Sequence, residues 1–381
     1  MKTYLVTGGA GFIGTNFVKY MLAKYHNISM VVLDKLTYAG IKENIQKEID
    51  THKIKFIHGD ICDIKLVDDI FQQYEIDYVV NFAAESHVDR SIENPKVFLE
   101  TNILGTQTLL DAAKKFWTVG KDEKGYPIYK ENKKYLQIST DEVYGSLKKD
   151  IPDGETLVFH DKELDILLKN RGKVKTFGKT FFTEYTPISP KSPYSTSKAS
   201  ADMLVMAYKD TYHMPVNITR CSNNYGPYQF PEKLIPLIIG NILQGKALPV
   251  YGDGMNVRDW LYVEDHCKAI DMVLEKGKLG EVYNVGGFNE EANIIIVKKI
   301  IDIISNIMKE EMKYRKYLKT DIKNINYDLI SFVQDRLGHD VRYAINPGKI
   351  VKELGWYPET TFLVGIEKTI RWYLEHTEIY Q

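Results

Sequence analysis

The sequence predicts an α/β fold: a doubly wound parallel sheet with a smaller, interleaved substrate-binding domain towards the C-terminus. Three observations carry this. Short β-branched runs alternate with amphipathic stretches through the first half, a glycine-rich turn follows the first run, and the texture changes after about residue 220. In chain order, 2–7, 29–34, 55–58, 78–83, 135–140 and 217–220 read as strands, and 11–25, 66–74 and 101–115 as helices. Strands joined by helices pair in parallel and are covered on both faces, which places ligands at their carboxyl ends.

Two polar stretches interrupt the pattern. Residues 119–133 read as a solvated loop before a strand. Residues 147–178 exceed the usual length of a connection, so they are functional, mobile, or carry a short helix of their own, for which 163–169 is the candidate. Further on, 223–231 is dense in glycine, proline and aromatics, as a substrate-facing loop would be, while 294–308 and 364–374 read as helices. The expected division is a cofactor-binding domain over 1–219, with a return segment near 258–285, and a mainly substrate-binding domain over 220–381.

Fifty basic and fifty-one acidic residues leave a formal charge of −1, which argues against nucleic acid or a membrane surface as partner. The three cysteines, Cys62, Cys221 and Cys267, lie far apart, and there is no CxxC or HExxH pattern. They read as small buried hydrophobes, and neither a disulfide framework nor a metal site is expected. The N-terminus runs straight into a strand and no apolar run reaches the ~18–20 residues of a membrane span, so the expected compartment is the cytoplasm.

Gly9, Gly11 and Gly14 satisfy GxGxxG at a strand-to-helix junction, the Rossmann-type fingerprint, in which backbone N–H groups at a helix N-terminus receive a pyrophosphate. Asp34 ends the second predicted strand 20 residues after Gly14. A carboxylate there accepts hydrogen bonds from the adenosine ribose and repels the extra phosphate of NADP, so the predicted cofactor is NAD. Asp60, after the third strand, is placed for the adenine amino group, with a plain turn residue as the alternative. The small Ala83 and Ala84, after the fourth, let a dinucleotide lie against backbone.

Tyr194 and Lys198 have YxxxK spacing, which puts both on one helix face, where the ammonium favours the phenolate. The same spacing recurs at Tyr20/Lys24, Tyr38/Lys42, Tyr126/Lys130, Tyr129/Lys133 and Tyr144/Lys148. Context selects Tyr194: Ser192 can cap the helix, Pro193 suits its first position, and a long helix over 194–212 follows. Thr140, Asp141 and Glu142 close the fifth strand. In a regular strand the two acids would point to opposite faces, and a turn at the strand end would aim both into the cleft. An ordinary surface turn with adjacent acids is the alternative.

AAESHVDRS (83–91), STDEVYG (139–145), SPYSTSKAS (192–200), RCSNNYGPYQFPEKLIPL (220–237), VYGDGMNVRDWLYVEDH (250–266) and DRLGHDVRY (335–343) occur in this order. Together they resemble the extended short-chain dehydrogenase/reductases, and within them the dTDP-glucose 4,6-dehydratases. The resemblance implies an NAD-dependent hydro-lyase of deoxysugar biosynthesis, with rhamnose as the expected pathway. Tyr194, assisted by Lys198 and Thr140, would take the C4 hydroxyl proton of the hexose as hydride passes to NAD. Glu142 would remove the C5 proton, Asp141 would protonate the departing C6 hydroxyl, and hydride would return to C6. The implied cofactor residues are Gly8, Gly11, Phe12, Ile13, Gly14, Asp34, Lys35, Thr37, Asp60, Ile61, Phe82, Ala83, Ala84, Ser86, Thr101, Tyr194, Lys198 and Asn224. The implied nucleotide-sugar residues are Ser86, Glu142, Asn223, Lys233, Leu234, Pro249, Tyr251, Arg258, Asn293, Asp335, Arg336 and His339, with Arg258 as the diphosphate clamp. A homodimer joined by the helices 101–115 and 194–212 is also implied. The chain departs from the family pattern at Leu337, where proline is usual, at Val341, where arginine is usual, and in the length of 147–178. Competing readings are a dehydratase of UDP- or CDP-glucose, an epimerase, for which Asp141 and Glu142 would be unexplained, and an NAD-bound protein with an idle site.

Overall fold

Seven parallel strands form the central sheet, in the spatial order Val282–Val285, Val216–Cys221, Lys134–Thr140, Tyr78–Asn81, Lys2–Thr7, Ile28–Asp34, Lys55–His58. The computed structural model describes residues 1–151, 154–157, 174–336 and 338–380. Counted along the chain, the winding reverses between the first and fourth strands, and a crevice opens at the carboxyl ends there. The six strands read from the sequence are all present. The seventh, Val282–Val285, is four residues long and joins the edge through Ile218↔Val282.

Alternate side chains of each strand feed two apolar layers. Val6, Val32, Val80 and Leu136 pack with helices Phe12–Lys24 and Val263–Lys276 on one face. Leu5, Val31, Val79 and Tyr135 pack with Ile64–Tyr74, Thr106–Trp117 and Pro193–Tyr212 on the other. Burial on both faces is why these strands read as unbroken hydrophobic runs. One buried polar group crosses the middle of the sheet. The Asn81 carboxamide accepts from Thr7 Oγ1 at 2.6 Å and donates to Gln137 Oε1 at 2.9 Å and Tyr135 OH at 3.2 Å.

A second core lies beyond the sheet. A three-stranded sheet of Asn223–Tyr225, Val257–Tyr262 and Glu290–Ala292 packs with helices Leu234–Gln244, Asn293–Glu310 and Phe362–Glu375. Leu248–Tyr251 and Ile330–Val333 pair in parallel beside it. Among the described residues no helix is long and apolar enough to cross a membrane.

Two expectations change. Within 119–133 the chain forms a hairpin of Thr118–Lys121 with Pro127–Tyr129, because Asp122 Oδ1 accepts from Lys124 N and Tyr126 N and so closes the turn. Within 223–231, Asn223–Tyr225 is a strand paired to Trp260–Tyr262 rather than free loop. The helix candidate 163–169 lies outside the described residues.

Both flanks of the long polar stretch meet at Arg342, which is fully buried. Its guanidinium pairs with Glu290 (Nε–Oε2 2.7 Å, Nη2–Oε1 2.9 Å) and donates to Thr180 O and Thr176 Oγ1, while its carbonyl accepts from Leu147 N. Removing the carboxylate strands a cation away from water. Glu290→Ala should therefore lower the unfolding free energy by about 3–5 kcal/mol, read from denaturant titration.

Candidate active site

The crevice is shaped first by close approaches at glycine. Gly8 adopts φ +68°, and a Cβ there would lie 2.6 Å from Ala83 N; one at Gly14 would lie 2.3 Å from Gly8 O. These contacts press the N-terminus of helix Phe12–Lys24 against the ends of two strands. A Cβ on Gly11 would meet only Gly8 O, at 3.3 Å, and Gly11 borders the cleft. The turn therefore offers bare backbone at a helix N-terminus, which fits a dinucleotide pyrophosphate.

Gly8, Gly11, Phe12, Ile13, Gly14, Asp34, Lys35, Thr37, Asp60, Ile61, Phe82, Ala83, Ala84, Ser86, Thr101, Tyr194, Lys198 and Asn224 all line this one cleft. Asp34 also shapes it: its carboxylate accepts from Ala10 N at 2.9 Å and Leu36 N at 2.8 Å. Burial raises its pKa, and these two N–H groups oppose the rise. Lys35 pairs with Asp60 at 2.6 Å, and Asp60 also accepts from Cys62 N. Desolvation works against the Asp60 charge, but the Lys35 and Cys62 hydrogen bonds prevail and hold its carboxyl below the ordinary value.

A 3-10 turn, Asp141–Tyr144, begins directly after Thr140, whose Oγ1 accepts from Glu142 N at 3.3 Å. The turn ends the strand alternation, but of the two acids only Glu142 reaches the cleft wall; Asp141 does not line it. Glu142 borders the cleft with Thr140, Tyr194 and Lys198. Asp141 is 2% exposed; its Oδ1 accepts from Thr140 Oγ1 at 3.3 Å, and its Oδ2 has no hydrogen-bond partner among the described residues. Burial, then the charges of Glu142 and Asp259, push the Asp141 carboxyl well above the ordinary range. Asp259 is itself raised to about 6 by burial, although Gly287 N and Asn289 N donate to it. Glu142 is raised too, by burial, and the cations of Arg258 and Lys233 oppose the rise without cancelling it.

Helix Pro193–Tyr212 opens on a capping box: Ser192 Oγ accepts from Ser195 N, and Pro193 takes the first turn. That places Tyr194 at the cleft. Burial raises its hydroxyl pKa well above the ordinary value, Glu142 adds to the rise, and a hydrogen bond with Thr140 opposes it. Lys198 Nζ donates to Ile138 O at 2.6 Å, and burial lowers its pKa. The lysine is thus anchored on the strand carbonyl rather than on the phenol, a difference from the simple i,i+4 expectation. The next turn carries Asp202, which pairs with Arg220 at 2.8 Å; Arg220 in turn donates to Tyr144 OH at 3.0 Å, locking the far end of the 3-10 turn.

Residues expected at the nucleotide sugar fall in two places. Ser86, Glu142, Asn223 and Lys233 line the cleft, with Leu234 next along the chain at the start of its helix. Pro249, Tyr251, Asp335, Arg336 and His339 belong to the paired strands and the segment that follows. Arg336 stacks over Tyr251 at 4.6 Å, and His339 Nδ1 lies 2.6 Å from Asp335 Oδ1. Asn293 opens helix Asn293–Glu310 with its Oδ1 buried and unpaired among the described residues. Arg258 connects the groups: its charge acts on both Glu142 and His339, and its guanidinium donates to Val257 O and Asp340 O. Arg336 bridges to Asp89 at 2.9 Å, beyond Ser86.

Cys221, Ser222, Gln229, Phe230 and Glu232 also line the cleft and were not expected at the site from the sequence. A signal existed for the first two: Cys221 ends the sixth strand and Ser222 follows it, at the carboxyl edge where ligands bind.

A family model described as GDP-mannose 4,6 dehydratase matches residues 5–163 and 172–369. A dTDP-glucose 4,6-dehydratase of Shigella flexneri is 48% identical over 373 residues, covering 98% of this chain and 93% of that protein. The chain belongs to the dTDP-glucose 4,6-dehydratase family. Two solved structures of such dehydratases superpose over nearly the full length. The enzyme of Bacillus anthracis, in complex with NAD, is 43% identical, with TM-score 0.78 and coverage of 100% of this chain and 98% of that one. The enzyme of Streptomyces venezuelae, with NAD and dTDP bound, is 39% identical, with TM-score 0.79 and coverage of 99% and 98%. The match to the family model breaks between 163 and 172, within the long polar stretch.

The raised Asp141 carboxyl has a measurable consequence. An unfolded chain releases this proton near the ordinary value of 3.8, whereas the folded chain keeps it to higher pH. Stability from this group therefore falls as pH rises through that interval. Asp141→Asn should melt a few degrees above the parent near pH ~7, with the gap closing towards pH ~4, in calorimetric scans.

Proposed function

We propose that the chain is an NAD-dependent dTDP-glucose 4,6-dehydratase, converting dTDP-glucose to dTDP-4-keto-6-deoxy-glucose. The observation that carries the reading is the 3-10 turn after Thr140, which sets two buried carboxyls beside Tyr194, both raised by burial and Asp141 the more strongly. An enzyme that only moves hydride on and off C4 has no use for that pair.

When bound along the glycine turn, NAD supplies the hydride acceptor at C4 and the hydride donor at C6. Tyr194, with Thr140 at its hydroxyl, takes the C4 hydroxyl proton. Glu142, whose charge Arg258 and Lys233 favour against the burial that raises its pKa, removes the C5 proton acidified by the new ketone. Asp141, which burial keeps protonated, gives its proton to the leaving C6 hydroxyl. Lys198 holds the strand carbonyl and steadies the Tyr194 helix. Arg258 clamps the diphosphate, exchanging its backbone carbonyls for phosphate oxygens.

The same reading assigns 1–219 with 258–285 to cofactor binding and most of 220–381 to the nucleotide sugar. It places the enzyme in deoxysugar biosynthesis in the cytoplasm, with rhamnose as the pathway. It also assigns a homodimer, for which exposed Leu104 (53%) and Met203 (56%) on the two expected helices provide apolar surface.

Incubation with dTDP-glucose in heavy water tests it. The expected product has lost water and carries one solvent deuterium at C5; UDP- and CDP-glucose in parallel should turn over far more slowly. Asp141→Asn and Glu142→Gln should each lower kcat ~10²–10⁴-fold. No turnover of any of the three sugars by NAD-loaded protein would sink the assignment.

A further inference from the structure

Asn224 stands on the cleft wall beside Cys221, and its carboxamide is held from behind. The amide nitrogen donates to Ser222 O at 2.9 Å, which fixes the carbonyl oxygen towards His266 Nδ1, also at 2.9 Å. A carbonyl oxygen only accepts, so Nδ1 carries the imidazole proton. His266 is fully buried on helix Val263–Lys276, its Nε2 has no hydrogen-bond partner among the described residues, and burial drives its pKa down to about 3. The ring is therefore neutral and in one tautomer. Flipping the carboxamide would set an NH2 against an N–H and an oxygen against the Ser222 carbonyl. The backbone is held as well, by Gln229 Nε2 on Asn224 O and by pairing with Leu261. One N–H of Asn224 is spent on Ser222; the amide also hydrogen-bonds the Cys221 thiol, which lines the same cleft, so its NH2 side has a fixed direction.

We propose that His266 is a positioning residue: its Nδ1–H locks the Asn224 carboxamide so that an N–H, and not the carbonyl oxygen, is presented to the bound cofactor. The proposal rests on the reading of the cleft as an NAD site, but not on the identity of the sugar.

The test follows release of NAD from the holoenzyme, by exchange against isotopically labelled NAD read by mass spectrometry. His266→Phe keeps a planar ring and removes the donor, with His266→Leu as a second donor-free variant should the first not fold. Release should accelerate about tenfold, one hydrogen bond's worth, while dTDP affinity stays at the parental value. His266→Gln, which keeps a donor, should return release to within about threefold of the parent. Asn224→Ala should also accelerate release about tenfold, and the double variant no further, because one residue acts through the other. Parental release from His266→Phe, release from His266→Gln as fast as from His266→Phe, or a double variant near a hundredfold would each overturn the proposal. A parent that neither carries nor takes up NAD would overturn the cofactor reading, and this proposal with it. Failure on dTDP-glucose with normal NAD exchange would touch only the sugar.

Discussion

The Asn81 carboxamide sits where the sheet reverses its winding, and its hydrogen bonds to Thr7 and Gln137 are satisfied only in one alignment of the three central strands. Apolar side chains alone would tolerate small shifts along the strands, but a slip of one residue would turn every side chain to the other face and leave this amide unpaired in a dry interior. With Thr7 beside Asn81 and Thr140 beside Cys221, the strands end level. Level ends are what bring Gly8, Ala83, Thr140 and Ser222 to one crevice, although they are scattered along more than half the chain.

On that frame the chemistry is set by where charge is allowed. The 3-10 turn puts Asp141 inward, near Asp259, and Glu142 towards the cations of Arg258 and Lys233. Two neighbouring carboxyls thereby acquire different proton affinities without any unusual residue. The cations come from segments more than ninety positions downstream, so this charge environment exists only when the later core has packed over the sheet. Arg342 and Glu290 serve that packing by joining the end of the long polar stretch to the strand that flanks Arg258.

Much of this was legible in the residues. Strand-and-helix alternation predicts the sheet because parallel strands are short, β-branched and buried on both faces, and the glycine turn predicts its ligand because only bare backbone permits such close approach. Ser192 and Pro193 marked the helix that reaches the cleft among six YxxxK matches because capping is a local effect. The Asp122 turn was missed, although its cue is also local: charged hairpins carry no hydrophobic period, so 119–133 resembled plain loop. The anchoring of Lys198 on Ile138 and of Asn224 on His266 was illegible for another reason. Both depend on which buried acceptor lies within reach after folding, and no spacing along the chain encodes that distance.

The helix that runs past the cofactor cleft widens over Glu100–Gly105 into a π turn before resuming as Thr106–Trp117. Within the wide turn, Asn102 bonds both backbone groups of Glu85 and Ser197 Oγ, and Thr101 lines the cleft. Such a turn takes up one additional residue while the flanking turns keep their phase. Leu109, Leu110, Ala113 and Trp117 therefore stay seated in the core whether or not that residue is present. A lineage can gain or lose a residue here, and so re-aim the groups facing the dinucleotide, without repacking the protein.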